Sequence, residues 1–327
     1  MEISSLRPIP KDIHPVALGT YLLPTESIDC IYAMVTKVIN RRDTGLVVYG
    51  NTRYGKTSSI FYCTKMLHIE FPGVPVRLFS VPQDLTASEG KFFTLFLEAV
   101  KHKDTGGTVA DKRIRLANYI IDAGSQSSRR IFVLFIDEAQ KFSAVHYEWL
   151  RDMYDQAVIG GVSLLVILVG QLDLYAQKNA FIKLKKVEIV SRFMIFDMRF
   201  YGIRTFEDFA FCLGQYDVLD FPVGSGWTFT RFFMPTAYAS GFRLGDYAQV
   251  LWGAFLRQDE ELGISDGTEI PMKYFTKTVE ILFTEHPGLD VPNLSLTPDI
   301  CRQLIVESWY PSFMDHLKGM DSLRRRN

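Results

Sequence analysis

The chain has 327 residues, 47% of them apolar and 22% charged, with a formal net charge of −1. That is the composition of an ordinary soluble globular protein, long enough to bury one large core with an appendage or to fold as two domains. Its longest unbroken apolar runs, 131–136 and 164–169, are far too short to span a bilayer, and the near-neutral balance leaves any DNA binding to a local patch.

Residues 1–20 scatter Pro8, Pro10 and Pro15 among charges, with no basic end followed by an apolar stretch. This predicts no signal peptide and an extended arm suited to reaching a neighbour. The first strand signal is the apolar run 46–49. It leads into Gly50-Asn51-Thr52-Arg53-Tyr54-Gly55-Lys56-Thr57, and Ser58 opens a helix-compatible stretch to residue 69. Strand, glycine-bearing loop and helix in that order form a phosphate-binding loop. The glycines let backbone N–H groups converge on phosphate oxygens, and the helix adds its positive end. Residues 50–58 are the expected ATP cradle, with Lys56 reaching the β- and γ-phosphates and the Thr57 hydroxyl holding Mg²⁺. An ordinary glycine-rich turn is the competing reading, and the flanking strand and helix argue against it.

Short aliphatic and β-branched runs recur at 76–81, 131–136, 164–169 and 193–198, separated by segments of helical periodicity. Runs apolar on both faces suit strands buried between helices, so the expected class is α/β with a five-stranded, mostly parallel sheet. The third run ends in Asp137-Glu138. A carboxylate at the end of a buried strand would sit beside the loop, where Asp137 can organise the Mg²⁺ shell; Glu138 is then placed to polarise a water for in-line attack on the γ-phosphate. A solvated turn would explain an isolated acid pair better, but not one that follows a six-residue apolar run in a chain with this loop. The fourth run ends in Gly170-Gln171. In nucleotide hydrolases with an extra strand between loop and acids, a polar side chain here can touch the γ-phosphate and the attacking water; a polar residue that merely starts a loop is the alternative. Arg192, ahead of the fifth run and expected on the sheet edge, is a candidate finger for a neighbouring subunit's nucleotide, with a surface salt bridge as the competing account.

Past residue 201 the pattern is helical. Arg243, near the start of a helix expected to pack over the nucleotide, is a candidate phosphate contact, and an arginine on a solvated face is the alternative. Trp252, Phe255, Tyr274, Phe275, Phe283, Trp309, Tyr310 and Phe313 should mostly fill this region's own core, with Pro287, Pro292, Pro298 and Pro311 dividing it into short helices and loops. From Lys318 a basic tail with Arg324-Arg325-Arg326 is expected to be mobile. Cys30, Cys63, Cys212 and Cys301 have no close pairs and the six histidines no ligand spacing, which predicts reduced cytosolic thiols and no structural metal. The expected organisation is an arm (1–21), a nucleotide-binding core (22–204), a helical lid with C-terminal helices (205–317) and a tail (318–327).

The loop, Asp137-Glu138, Gln171, Ser191-Arg192-Phe193 and Arg243 together resemble an AAA+ ATPase across residues 22–257. More narrowly, residues 50–58, the strand Phe132-Val133-Leu134-Phe135-Ile136-Asp137-Glu138-Ala139-Gln140 and Val169-Gly170-Gln171-Leu172-Asp173-Leu174 resemble the TnsC/TniB group of transposition regulators, most like the TnsC of CRISPR-associated, Tn7-like elements. The resemblance implies an AAA+ P-loop NTPase core followed by a helical lid. It further implies a bacterial, cytoplasmic homo-oligomer that assembles with ATP as a ring or filament on double-stranded DNA. Such a protein takes a signal from a TniQ-type target-selection protein, recruits the transposase and leaves on hydrolysis. Catalytic roles carry over to Lys56, Thr57, Asp137, Glu138 and Gln171, while Arg192 and Arg243 take finger and lid positions that vary within the group. Family members grip the DNA backbone from the segment after the second strand, where Lys103, Thr105, Lys112 and Arg113 are the candidates; Lys183, Lys185 and Lys186 form a second basic group for DNA or the subunit seam. The competing classes are a nucleotide switch in signalling or secretion without DNA, and a P-loop kinase, which needs no water-activating Glu after the third strand.

Overall fold

The computed structural model describes residues 7–264 and 269–324, with side chains to residue 319. The chain divides into two units, one made of 27–52 and 56–200, the other of the residues up to 26, 53–55 and those from 201 on.

Residues 7–20 do not form an extended arm. After a 3₁₀ turn (Lys11–Ile13) comes a short helix, α1 (Pro15–Leu18), capped by His14 Nδ1, which accepts a hydrogen bond from the Val16 N–H. The reason lies 200 residues away in the sequence. Phe221, Phe229, Phe232 and Phe233 ring the His14 imidazole, which is wholly buried, and the Arg7 Nε donates to the Phe232 carbonyl at 2.7 Å. Burial without a carboxylate partner disfavours the imidazolium and lowers the His14 pKa to about 4. Between pH 6.5 and 4 the unfolded chain therefore takes up a proton that the folded one refuses, and stability falls as pH falls through that window. A melting temperature followed against pH should drop less steeply there for His14→Phe than for the parent; parallel curves would contradict this assignment.

The first unit is built on five strands, β1 (Gly45–Tyr49), β2 (Val76–Ser80), β3 (Ile131–Asp137), β4 (Ser163–Gly170) and β5 (Phe196–Arg199), in the order β2-β3-β4-β1-β5. All pairings are parallel. Every residue of β3 and all but the first of β4 are buried, which is why both read as uninterrupted apolar runs. Seven helices accompany the sheet: α2 (Glu26–Arg41), α3 (Lys56–Glu70), α4 (Glu89–Ala99), α5 (Val109–Gln126), α6 (Ala144–Ile159), α7 (Leu172–Lys183) and α8 (Val187–Phe193). Thr108 and Asp111 start α5 with a reciprocal capping box. The core joins Phe79, Phe92, Phe96, Phe132, Phe142 and Tyr147.

The fifth strand begins three residues later than the apolar run suggests. Phe193 completes α8 with its ring fully buried, whereas β5 is an edge strand whose Phe196 and Asp197 are exposed, so apolarity does not mark it. Arg192 consequently sits on a helix, not on the sheet edge.

The second unit is helical: α9 (Phe206–Gly214), α10 (Phe229–Phe233), α11 (Pro235–Ala239), α12 (Ala248–Glu261), α13 (Met272–Thr284), α14 (Pro298–Glu307) and α15 (Tyr310–Arg324). Phe209, Phe255, Phe275, Phe283 and Tyr310 fill its core, and the Tyr310 hydroxyl donates to Asp259 at 2.6 Å. Trp309 is an exception to the expectation that these aromatics are mostly internal. It occupies the joint between α14 and α15 with φ 66°, a left-handed backbone that turns the indole out, 71% exposed. Nor is the chain from Lys318 to Arg324 irregular: α15 runs through it, and Lys318 Nζ donates to the carbonyls of Leu262 (2.8 Å) and Gly263 (3.3 Å), tying it to the end of α12. Arg325 and Arg326 lie outside the described residues. Among the described residues no helix is long and apolar enough to cross a membrane.

Candidate nucleotide site

Parallel strands put their carboxyl ends at one edge of the sheet, and the register fixes which residues meet there. Tyr49 of β1 pairs with Gly170 of β4, and Ile136 of β3 with Leu168 of β4. The loop after β1, the acids after β3 and Gln171 after β4 therefore emerge side by side, with β4 between the other two strands.

The loop's two glycines have different physical causes. Gly55 has φ 103°, a conformation that side chains resist, whereas a Cβ on Gly50 would overlap the Phe200 carbonyl oxygen. Helix α3 starts at Lys56, so its unpaired N–H groups face the loop's hollow. Lys56 is buried, and its Nζ donates to the loop's own carbonyls, Gly50 O at 2.8 Å and Asn51 O at 2.6 Å. Thr57 Oγ1 donates to Asp137 Oδ2 at 2.8 Å, which joins the loop to the end of β3. The other oxygen, Asp137 Oδ1, accepts from the Glu138 N–H at 2.9 Å. Glu138 itself has φ 58°, a left-handed backbone that costs a non-glycine residue about 1–2 kcal/mol. Such conformations persist where surrounding contacts over-determine them, commonly at functional sites.

Electrostatically the site is a dry cation beside two acids. Burial lowers the Lys56 pKa to about 8, partly offset by the charges of Glu138 and Asp137. Burial likewise raises the Asp137 carboxyl, against the opposing hydrogen bonds from Thr57 and the Glu138 backbone. Burial disfavours both charges, and a phosphate beside Lys56 or a divalent cation beside Asp137 would favour them. The donor set near Asp137 consists of a hydroxyl and a carboxylate, hard oxygens of the kind Mg²⁺ takes.

Other sequence-derived candidates are placed as follows. Tyr54 buries its ring, with the hydroxyl 3.5 Å from the Glu269 carbonyl, so only its backbone is available to a phosphate. Gln171 caps α7, and its N–H donates to Gln140 Oε1 at 3.1 Å. The Arg192 guanidinium pairs with Asp155 at 3.1 Å and lies over the Tyr154 ring. Arg243 Nη1 donates to the carbonyls of Phe242 (2.7 Å) and Tyr238 (3.1 Å), and the guanidinium stacks on Tyr238, so one of its nitrogens is engaged within the second unit. Lys103 is exposed and Thr105 half-buried on the segment before α5. Lys112 Nζ donates to Thr94 Oγ1 at 2.8 Å, and Arg113 pairs with Glu89 and lies over Phe93. Lys183 and Lys185 are exposed, and Lys186 approaches Glu148 at 3.9 Å.

Two residues that sequence reasoning gave no role of their own touch the acid: Gln140 Nε2 donates to Glu138 Oε2 at 2.8 Å, and Lys141 Nζ lies 3.6 Å from the same oxygen. In the sequence Gln140 closes the 132–140 motif and Lys141 is a polar residue in a turn, flanked by the buried Ala139 and Phe142.

This architecture is an α/β core with a five-stranded parallel sheet and a glycine-bearing loop at the carboxyl edge of β1, the arrangement of a nucleotide-binding fold. Residues 39–177, from the end of α2 into α7, match the model of the AAA domain family, and the match includes the loop, both acids and Gln171. No curated protein matches the sequence. Among solved structures the chain is similar to Drosophila ORC bound to DNA, at 13% identity and a TM-score of 0.49, covering 92% of this chain and 67% of that one. It is also similar to C. elegans PCH-2, at 12% identity and 0.40, covering 88% and 69%. A third similarity, to the Pif1 helicase from Candida albicans, has 13% identity and a TM-score of 0.30, covering 46% of this chain and 33% of the helicase.

Proposed function

We propose that the protein is a Mg²⁺-dependent ATPase that oligomerises on double-stranded DNA when it binds ATP, dissociates on hydrolysis, and in doing so regulates transposition. The observation that carries the ATPase reading is the 2.8 Å contact between Thr57 and Asp137, because it brings the loop and the strand-end acid to one point. The chemistry Mg²⁺ would supply when held here is neutralisation of the charge that develops on the transferred group. Thr57 and Asp137 are the residues to hold it. The Lys56 ammonium exchanges its loop carbonyls for phosphate oxygens, the N–H groups of residues 50–58 cradle the rest, and Glu138 accepts the proton of the attacking water. Gln171 orients that water and the γ-phosphate from the tip of β4.

The transposition role, with a TniQ-type protein, the transposase and a cytoplasmic, DNA-bound bacterial setting, is supported by the sequence resemblance of residues 50–58, 132–140 and 169–174. Phosphate contacts fall first on Lys103 and Thr105; Lys112 and Arg113 would have to leave Thr94 and Glu89. An oligomer needs few contacts per subunit, since it multiplies them. That prior engagement of Lys112 and Arg113 favours a second reading, a nucleotide switch that acts on proteins without DNA.

Sedimentation with ATP, with and without duplex DNA, separates the two. The DNA reading expects large assemblies only with both, and sedimentation and turnover indifferent to DNA would leave the switch. In the same assay Arg192→Ala should retain nucleotide binding and slow turnover by about 10³-fold, the lower range for an arginine supplied in trans. Loss of binding instead would contradict a finger role, and Arg243→Ala with unchanged nucleotide affinity would remove that residue from the phosphate contacts.

A further inference from the structure

Beyond the residues assigned so far, the turn after β3 contains a two-ended tether. Gln140 Nε2 donates to Glu138 Oε2 at 2.8 Å, while its Oε1 accepts the Gln171 N–H at 3.1 Å. One carboxamide thus spans the acid after β3 and the peptide at the tip of β4. Its orientation is dictated by its partners: turned over, it would set oxygen against carboxylate and N–H against N–H.

Gly170 supplies an independent observation. Its backbone has no positive φ, so no turn requires glycine there. A Cβ on Gly170 would overlap Gln140 Oε1, so the carboxamide would have to move off its seat, and it would press on Leu174 at 3.0 Å. The glycine at the end of β4 is the seat of the Gln140 amide. Lys141 Nζ also lies 3.6 Å from Glu138 Oε2 and donates to the Val81 carbonyl at 3.2 Å, so the acid is linked to the end of β2 as well.

We propose that Gln140 is a positioning residue for ATP hydrolysis: through a seat provided by Gly170, its carboxamide fixes the Glu138 carboxylate relative to Gln171, so that base and γ-phosphate contact act on one water. This rests on Glu138 being the base. Gln140 touches neither nucleotide nor metal in this role. It acts by restricting a side chain that, on a left-handed backbone at the edge of solvent, would otherwise sample several rotamers, and a misplacement of about 1 Å can cost about 10²-fold in rate.

The test is steady-state ATP turnover by the full chain, with binding of a slowly hydrolysed ATP analogue and melting temperature measured in parallel. Gln140→Glu keeps the size and replaces the donor facing Glu138 by an acceptor. It should lower kcat by about tenfold or more while KM and analogue affinity stay within about threefold. Gly170→Ala, which leaves both side chains in place and unseats the amide, should show the same split. The double variant Gln140→Glu/Glu138→Gln should turn over no more slowly than Glu138→Gln alone, because Gln140 acts only through Glu138. Parental kcat in Gln140→Glu, or an additional loss in the double variant, would overturn the proposal. If Gln140→Glu melts well below the parent, the Gly170→Ala split decides in its place. Failure of the underlying reading looks different: Glu138→Gln alone would then hydrolyse ATP at the parental rate.

Discussion

Lys56→Ala is expected to abolish measurable ATP binding and every ATP-dependent assembly. The ammonium is the one buried cation of the site, and its two acceptors in the structure are loop carbonyls that ATP oxygens would replace. Charge-assisted hydrogen bonds are worth about 1.5–3 kcal/mol each, so losing two weakens binding by about 10²-fold or more. Thermal melting reads this directly. At about 100 times its Kd, ATP should stabilise the parent by about 2.7 kcal/mol, and the variant by about 0.4 kcal/mol or less at the same concentration. The same shift in both proteins would mean that the nucleotide binds elsewhere.

The second large effect is expected for Glu138→Gln. The amide preserves shape and the hydrogen bond it can accept but takes up no proton, so hydrolysis should fall by about 10²- to 10⁴-fold while ATP still binds. Separated from hydrolysis, binding should drive assembly on DNA that persists after excess ATP is removed, where the parent's assemblies decay. The contrast with Lys56→Ala is informative because the proposed mechanism assigns both residues to one nucleotide site. One variant lacks the ligand and the other cannot release it.

How far the sequence revealed this arrangement depends on where burial acts. The loop at 50–57 was legible because strand, glycines, lysine and hydroxyl are consecutive. Strands β3 and β4 were legible because both their faces are buried, which leaves no polar residue to break the run. Their adjacency, with Gln171 beside the acids, followed from the motif order. Strand β5 was misplaced because an edge strand carries no such signature, and Phe193 lent its apolarity to the neighbouring helix. His14 could not be read as a core residue, since its cage is assembled from phenylalanines some 200 positions on. Trp309 is the exception among aromatics expected mostly inside, because hydrophobicity does not reveal its place at a helix joint with a left-handed backbone, where it is exposed. Lys112, Arg113, Arg192 and Arg243 show a general limit. Sequence identifies a cation, but whether its donors are already engaged, as by Thr94, Glu89, Asp155 and the Tyr238 carbonyl, is decided by packing. Gln140 escaped for the related reason that its two partners come from different strands.

The most direct measurement is an experimental structure of the protein with Mg²⁺ and a slowly hydrolysed ATP analogue. It should place one metal at about 2.1 Å from Thr57 Oγ1, with Asp137 reaching that ion directly or through one water and Lys56 Nζ on the β- and γ-phosphates. A nucleotide bound away from this pocket, or a metal beyond the reach of Asp137, would show that the loop and the strand-end acids do not form one ATP-splitting centre.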